Sequence, residues 1–401
     1  MSQEHAFGIG DSVRPLVRAV FEPDKVRTAS TDDHGAAVAI PALNALALRS
    51  LVCLFNAKEN LFSRRITIAE NGFNQEKTSR RRTIIALLGL QRLAQSRESQ
   101  PFDLAAIRDV VLEDTSWVRG VGDLGLLTWF TAEFAPEKLC ELFSEFDFDK
   151  VLEICIDGRQ ARTSGLAMFL AGISHARLAA VRTLVDLTDI AVDVYRLLLD
   201  NKGESGVFCQ AAHPGFLQRS FCRRFGTFDD QICAIYALST FAKAFKVEEP
   251  LASALSCANS IRALQGEMGE WWFLYDKRTC RVVSRYPVFS WHQDGTAPVG
   301  LLALEETTGQ SFHEPVYKGL SWVTKTNELG DDLRSLERGL IWDSIRPRRQ
   351  SAVYWEGALS LANISRRSRS TDLRIQYESR PDHFGWLLYA FGRHGLPKAN
   401  A

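Results

Sequence analysis

The sequence lacks the features that mark several large classes of protein. It has no excess charge of either sign, because 48 Lys and Arg residues balance 48 Asp and Glu residues. No overall field therefore attracts nucleic acid or an anionic membrane. No stretch reaches the roughly 18 uncharged apolar residues of a membrane-spanning helix, and the first residues do not resemble a signal peptide. We expect a cytoplasmic protein with no integral membrane segment and no nucleic-acid partner.

The sequence also lacks the cysteine spacing of a disulfide framework and the motifs of nucleotide binding. The 8 cysteines are scattered without CxxC spacing, which suits reduced core thiols better than a disulfide framework. Cys209 and His213 have the spacing of metal ligands, but no second Cys or His pair lies near them. The sequence contains no P-loop, no GxGxxG after a strand, no GxSxG and no HExxH. We therefore expect no metal and no cofactor.

The sequence is rich in helical patterns. Strongly apolar runs, each opened by a polar cluster, alternate with amphipathic segments, and prolines number only 13. A helix that is apolar all round must be surrounded by other helices, whereas an amphipathic one can cover it and face water. The clusters that open the apolar runs lie at residues 78–82, 122–123, 162–164, 228–231, 292–294 and 381–383. The amphipathic segments lie at residues 136–146, 186–200, 250–265 and 313–325.

This alternation predicts an all-α fold, an (α/α)6-type toroid in which about six parallel inner helices are wrapped by an outer ring. Aromatic and β-branched residues in 270–291 flank a turn-like segment at 276–279, which predicts a small inserted β-hairpin. We expect a single toroid domain over residues 31–401, preceded by an amino-terminal arm over residues 1–30. The alternative is an irregular all-α domain that does not close.

Parallel inner helices would begin at one end of the ring, which we call the rim. Unpaired N–H groups and positive helix ends meet there and favour anionic ligands. Asp229 and Asp230 point about 100° apart on a helix, so an acid and base pair must come from different helices. We predict Asp230 and Asp294 as acid and base, with Asp123 as the other partner for Asp230. His292 would transfer a proton or orient the substrate.

The rim would also bind the substrate. Aromatic rings can stack on sugar faces, and arginines can bind carboxylate or phosphate groups bidentately. The predicted substrate-binding residues are Asp123, Gln231, Trp271, Tyr286, Trp291, Arg81 and His383. The alternative for each is structural, because polar residues at helix starts are ordinary N-caps and aromatic rings often fill a core.

Two resemblances bear on the fold. Residues 265–271, QGEMGEW, resemble the QxxxGxW repeat of terpenoid cyclases and related prenyltransferase-like toroids, in which glutamine and tryptophan tie helix ends together. The DxDD and DDxxD acid motifs of those cyclases are absent. FDDQICAIYAL and YPVFSWHQDGTAPVGLLALEETTG are similar to inner-helix starts of six-hairpin glycosidase-like proteins, including epimerases and lyases that act on sugars. Both resemblances imply an α/α toroid.

We therefore expect a carbohydrate-active enzyme that acts on a polysaccharide or on an intermediate of its synthesis. The chemistry would be acid–base: glycoside hydrolysis, epimerisation or elimination. The partner would be an oligosaccharide or polysaccharide-type substrate, which the arginines suggest is anionic. One alternative is a terpenoid cyclase-like enzyme, in which the aspartates start a carbocation that aromatic rings stabilise. Another is a non-catalytic glycan-binding toroid.

Overall fold

The computed structural model describes residues 33–69, 72–96, 100–156, 162–179, 187–212, 219–348 and 372–397. The predicted arm over residues 1–30 lies outside them, as does His213. The chain groups into two compact units. The first comprises Met1–Asp114, Asp332–Asp343 and Gln376–Ala401, and the second comprises Thr115–Asp331 and Ser344–Ile375. A single domain over residues 31–401 stays a prediction.

Helices dominate the described residues, and short strands lie between them. In chain order the helices are α1 (Asp33–Leu54), α2 (Arg80–Ala94), α3 (Leu104–Glu113), α4 (Val121–Phe134), α5 (Leu139–Glu145), α6 (Phe148–Ile156), α7 (Thr163–Leu178), α8 (Leu187–Asp200), α9 (Arg219–Cys222), α10 (Phe228–Phe245), α11 (Glu249–Ala263), α12 (Ala297–Thr308), α13 (His313–Val323) and α14 (Pro381–Phe391). The strands are β1 (Phe55–Asn56), β2 (Leu61–Phe62), β3 (Ile66–Ala69), β4 (Gly72–Gln75), β5 (Phe225–Thr227), β6 (Leu274–Asp276), β7 (Arg281–Ser284), β8 (Val288–Phe289), β9 (Arg334–Ser335), β10 (Leu340–Ile341), β11 (Ser344–Pro347), β12 (Leu373–Gln376) and β13 (Glu378–Ser379). Within this described part of the chain, no helix is long and apolar enough to cross a membrane.

In the first unit, α2 and α14 run parallel and in close contact. Arg82 Nη1 lies 2.8 Å from Asp382 Oδ1 near the two helix starts, and Arg92 Nη2 lies 2.6 Å from Tyr389 Oη near the ends. Gly89 lets the backbones touch, because a methyl group there would overlap the carbonyl of Gly385. A three-stranded sheet of β13, β3 and β4 belongs to the same unit.

In the second unit, α4, α7, α10 and α12 also run parallel. A Cβ atom on Gly122 would lie 3.2 Å from Gly165 Cα, and one on Gly125 would overlap Phe169, so contacts advance together along α4 and α7. Asp229 at the start of α10 pairs with the segment before α12, and Lys243 Nζ near its end lies 2.7 Å from Glu306 Oε1 of α12. Ser164 at the start of α7 contacts Asp230 at the start of α10, and His175 further along α7 contacts Tyr236, so all four helices begin at the same end.

The six polar clusters predicted to open inner helices all coincide with helix starts. Five lie at the beginnings of α2, α4, α7, α10 and α14, and residues 292–294 lie in a π-helical turn, His292–Thr296, that leads into α12. The amphipathic segments predicted to be outer form α5, α8, α11 and α13. The predicted alternation of buried and half-buried helices is confirmed.

The predicted β-hairpin is also confirmed, and it has a third strand. Strands β6 and β7 pair antiparallel, and β5 pairs with the other edge of β6. Asp276 closes the turn, because its Oδ1 accepts hydrogen bonds from the backbone N–H groups of Arg278 and Thr279. Its Oδ2 lies 2.7 Å from Arg224 Nη2, so the hairpin is anchored to the segment that precedes β5.

Candidate active site

The start of α10 is held by a capping box. Thr227 Oγ1 accepts from the N–H of Asp230, and Asp230 Oδ2 accepts from the N–H of Thr227 at 2.8 Å. Asp230 Oδ1 also accepts from the N–H of Ser164 in the first turn of α7, at 3.3 Å. Asp230 therefore ties together the starts of two inner helices.

Asp230 is an unusual carboxylic acid because it is only 4% exposed. Burial, together with the neighbouring charge of Asp229, raises the pKa of Asp230 to about 6, although its hydrogen bonds to Thr227 and Ser164 oppose the shift. The group can thus change its protonation state near neutral pH.

Asp229 faces a different direction from its neighbour and meets a histidine. Its Oδ1 lies 3.1 Å from His292 Nε2, which joins the start of α10 to the π-helical turn before α12. The side chain of Asp229 is 36% exposed, whereas that of His292 is 1% exposed. An accessible carboxylate is therefore backed by a buried imidazole.

Aromatic rings enclose His292. The ring centroids of Phe228, Phe289 and Trp291 lie 4.8, 5.1 and 4.2 Å from that of the imidazole. The second ring nitrogen, Nδ1, is buried and finds no hydrogen-bond partner within the described residues. Because a substrate can touch Asp229 but not this enclosed ring, His292 would act through Asp229 and orient its carboxylate.

Two further predicted residues lie deeper in the second unit. Asp294 is fully buried in the same π-helical turn as His292. Gln231 accepts from the N–H of Phe208 at 2.7 Å and donates to the carbonyls of Phe208 and Thr227. Both amide hydrogens of Gln231 are thus engaged in holding the chain that precedes α10. Across the described ranges, no group of three or more His, Cys, Asp and Glu side chains is placed to hold a metal ion.

The three aromatic residues predicted as pocket walls have different environments. Trp271 is fully buried and stacks on Phe228 with ring centroids 5.3 Å apart. Tyr286 is half-buried and donates from its hydroxyl to Glu328 Oε1 at 2.8 Å. Trp291 is half-buried beside His292. The structure thus places Trp291 beside His292, the partner of Asp229, and packs Trp271 into the core.

The remaining predicted residues divide between the two units. Asp123 is half-buried in the first turn of α4, and its Oδ2 accepts from the N–H of Arg119 at 3.3 Å. Arg81 and His383 belong to the first unit. There Arg81 is exposed at the start of α2, and His383 is buried with its ring stacked on Phe384. In the second unit the structure brings together Asp229, Asp230, His292, Trp291 and Ser164.

Asp229 is an accessible carboxylate beside His292 that the predicted site residues omit. A signal for it exists in the sequence, because Thr227 followed three residues later by Asp230 matches the spacing of a capping box. That pattern assigns Asp230 to the cap and leaves Asp229 available for chemistry. The contact with His292 has no comparable signal, because it joins residues 63 positions apart.

Comparison with known proteins identifies relatives in fold. No protein-family profile and no curated protein matches the sequence. A possible member of the GH105 family from Salmonella enterica has a TM-score of 0.56 at 11% identity, covering 92% of this chain and 96% of its own. An unsaturated glucuronyl hydrolase specific for heparin has a TM-score of 0.56 at 11% identity, covering 88% of this chain and 96% of its own.

A third similar structure carries a sugar. It is a mutant of the unsaturated glucuronyl hydrolase from Streptococcus agalactiae complexed with dGlcA-GalNAc6S, with a TM-score of 0.56 at 12% identity and 96% coverage of both chains. At these identities the likeness concerns the fold. The chain thus has the all-α fold of the α/α-toroid glycosidases, with small β-hairpins inserted.

Proposed function

We propose that the protein is a hydrolase that releases an unsaturated uronate sugar from the end of an acidic oligosaccharide. The observation that carries this proposal is the contact between the accessible carboxylate of Asp229 and the buried imidazole of His292, where two inner helices begin. The substrate class is suggested by the fold relatives, whose names are unsaturated glucuronyl hydrolases and one of which holds dGlcA-GalNAc6S.

Asp229 is suited to activate water. As a general base it would take a proton from a water molecule whose oxygen bonds to the sugar carbon, while the bond from that carbon to the bridging oxygen breaks. The leaving oxygen needs a proton, and we assign that role to Asp123, a half-buried carboxylate at the start of α4. The hydrogen bond from His292 holds the Asp229 carboxylate in one orientation.

Asp230, which follows Asp229 in sequence, is buried, as are His292, which contacts Asp229, and Asp294, two residues after His292. Their burial favours a positioning role, although direct proton transfer by Asp230 and Asp294 stays a prediction. Arg162, exposed immediately before α7, could bind the carboxylate of a uronate. Ser164, two residues after Arg162, contacts Asp230. Arg162 therefore lies at the start of α7, close in sequence to the contact that joins α7 to α10.

The terpenoid cyclase alternative receives less support. Gln265 Nε2 donates to the carbonyls of Gly269 and Pro315, both at 3.0 Å, and so ties the end of α11 to the start of α13. This matches the tying role of a QxxxGxW glutamine. However, Trp271 of the same segment is fully buried, so its ring cannot face a carbocation. An accessible carboxylate at a rim suits a sugar better.

The test is a turnover assay with unsaturated disaccharides derived from chondroitin and heparin, followed by the ultraviolet absorbance of the unsaturated ring. Asp229→Asn should lower kcat by about 10²- to 10⁴-fold, because the general base is lost. His292→Gln should lower kcat less and shift the pH profile. Asp189→Asn, which changes an exposed carboxylate on α8, is the control and should leave turnover intact.

Other results would favour the alternatives. If Asp229→Asn cleaves the disaccharides at the wild-type rate, Asp229 is not the general base. Binding of the disaccharides without turnover would support a glycan-binding protein, and turnover of a prenyl diphosphate would support a cyclase.

A further inference from the structure

The segment between the outer helix α11 and the inner helix α12 carries an arginine that the proposed chemistry does not use. Arg285 is exposed and directly follows β7. Its guanidinium carbon lies over the ring of Trp272, 5.2 Å from the centroid, as in a cation–π contact. Trp272 is only 8% exposed, so the guanidinium rests on a ring that is itself held by packing.

Arg285 differs from Arg224, which is attached to the same sheet. Arg224 pairs with the buried Asp276 at 2.7 Å. Among the side chains that the structure describes, none is a carboxylate within ion-pair distance of Arg285. Glu328, which Tyr286 contacts, accepts on one oxygen from the hydroxyl of Tyr286 and on the other from Nε1 of Trp322. The guanidinium of Arg285 can therefore present its N–H donors to a ligand.

Two backbone hydrogen bonds connect Arg285 to the start of α10. The N–H of Phe228 donates to the carbonyl of Phe273 at 3.1 Å, and the N–H of Phe273 donates to the carbonyl of Arg285 at 3.2 Å. Neighbouring strands lie about 4.8 Å apart, so the backbone of Arg285 lies about 10 Å from that of Phe228. Asp229 directly follows Phe228, so Arg285 belongs to the surroundings of the candidate active site.

Ring contacts also join this segment to the candidate active site. Phe273 and Phe289 are both half-buried, and their ring centroids lie 6.4 Å apart. The ring of Phe289 lies 5.1 Å from that of His292, the partner of Asp229. Backbone and side-chain contacts together therefore fix where Arg285 lies relative to Asp229.

This spacing indicates which part of a substrate Arg285 would meet. A sugar ring adds about 5 Å to an oligosaccharide, since it spans a few bonds of about 1.5 Å each. A group about 10 Å from the reacting end therefore belongs to the second or third ring. A guanidinium binds the oxygens of a sulfate or a carboxylate with paired N–H donors. In an oligosaccharide that alternates uronates with amino sugars, the second ring can carry a sulfate and the third carries a carboxylate.

We propose that Arg285, held over Trp272, binds a sulfate or carboxylate group on a sugar ring beyond the one that reacts at Asp229. This rests on the proposed function, because it takes Asp229 as the place of the reacting ring. Arg285 does not touch the reacting atoms and acts as a specificity-determining residue. Affinity should therefore rise when the oligosaccharide carries a second anionic group, and this gain should depend on Arg285.

The test compares dissociation constants by calorimetry in an Asp229→Asn background, so that nothing is cleaved. The probes are unsaturated chondroitin oligosaccharides: an unsulfated disaccharide as reference, a disaccharide sulfated on its second ring, and an unsulfated tetrasaccharide. Arg285→Gln should reduce the gain in affinity over the reference about tenfold, through loss of the charged hydrogen bonds. Arg285→Lys, which keeps the charge but loses the planar group, should reduce it about threefold. Arg281→Gln, which removes the same charge from an exposed position on β7, should leave the gain unchanged.

An Arg285-dependent gain with the sulfated disaccharide would identify a sulfate as the bound group, and a gain with the tetrasaccharide alone would identify a carboxylate. The anion site is refuted if neither probe binds more tightly than the reference, or if the gain survives Arg285→Gln while melting curves show folded protein. The two proposals fail separately. An Arg285-dependent gain with no wild-type cleavage of any probe would retain the anion site and overturn the proposed function. Cleavage that needs Asp229, with a gain that ignores Arg285, would do the reverse.

Discussion

The buried carboxyl group of Asp230 should make the protein less stable as the pH rises, which is the reverse of most carboxylates. Its pKa is raised to about 6, chiefly by burial, from an ordinary value of 3.8. The folded state therefore binds the proton more tightly than the unfolded state. The resulting stability is fully present below pH 3.8 and is lost as the pH rises through 6.

The size of the effect follows from that shift. A difference of about two pKa units corresponds to about 3 kcal/mol in the free energy of unfolding, of which about 2 kcal/mol falls between pH 4.5 and 7.5. Asp230→Asn keeps the size of the side chain and cannot ionise, but it loses an acceptor for the N–H of Thr227, a cost of about 1 kcal/mol at every pH. The variant should therefore match the wild type near pH 4.5 and be about 2 kcal/mol more stable near pH 7.5.

Urea denaturation at several pH values measures this directly. The wild type, Asp230→Asn and the control Asp189→Asn, whose carboxylate is exposed on α8, would be compared from pH 4.5 to 7.5. A stability difference between wild type and Asp230→Asn that stays constant over this range would refute the coupling between the proton and folding. Turnover of the same samples addresses catalysis separately, because loss of activity in a stable Asp230→Asn would support the role in catalysis predicted from the sequence.

Four other substitutions test the packing and a buried ion pair. Gly125→Ala should cost about 3 kcal/mol in the free energy of unfolding, because the methyl group would overlap the backbone of α7, while Gly122→Ala should cost less, since its nearest neighbour would lie at 3.2 Å. Gln231→Leu should cost at least about 2 kcal/mol by leaving the buried backbone groups that it binds unpaired, and an unchanged urea midpoint would contradict this. Arg380→Met should cost about 3–5 kcal/mol near neutral pH, because it removes a cation that pairs with two buried carboxylates, Asp343 and Glu378, while Arg65 still pairs with Glu378. Burial disfavours the ionised form of Glu378, but the hydrogen bond and the charge of Arg380 lower the pKa of this carboxyl group overall. The ionised Glu378 therefore stabilises the fold above pH 4.5, and this stabilisation is lost as the pH falls. The loss of stability in Arg380→Met should therefore be smaller at acidic pH, which thermal melts at two pH values would measure.

The positions of the inner helices could be predicted from the sequence because the information is local. An apolar run such as residues 83–90 can be buried on all sides only among other helices, and a polar cluster before it satisfies the N–H groups of the first turn. Both signals lie within about 15 residues. The grouping into two compact units has no such signal, since the first unit is assembled from three separate stretches of the chain.

The candidate site could be predicted only in part. The polar residues at the helix starts follow from the fold, and residues 228–231 and 292–294 do meet through Asp229 and His292. The sequence does not predict which of these side chains remain accessible, because accessibility depends on contacts between distant segments. Trp271 is buried because Phe228 packs against it, and the amide of Gln231 is engaged because the chain at Phe208 passes beside it.

The two carboxylates at the start of α10 have different surroundings, and we propose different roles for them. Adjacent residues on a helix face different directions, so a turn that needs one carboxylate for its cap presents the next to another surface. Asp230 is buried against Thr227 and Ser164, and Asp229 remains accessible and oriented by His292. The negative charge of Asp229 also adds to burial in raising the pKa of Asp230. No single substitution can therefore exchange the two roles. Replacing Asp229 should remove activity with little change in stability. Replacing Asp230 should chiefly alter the pH dependence of stability.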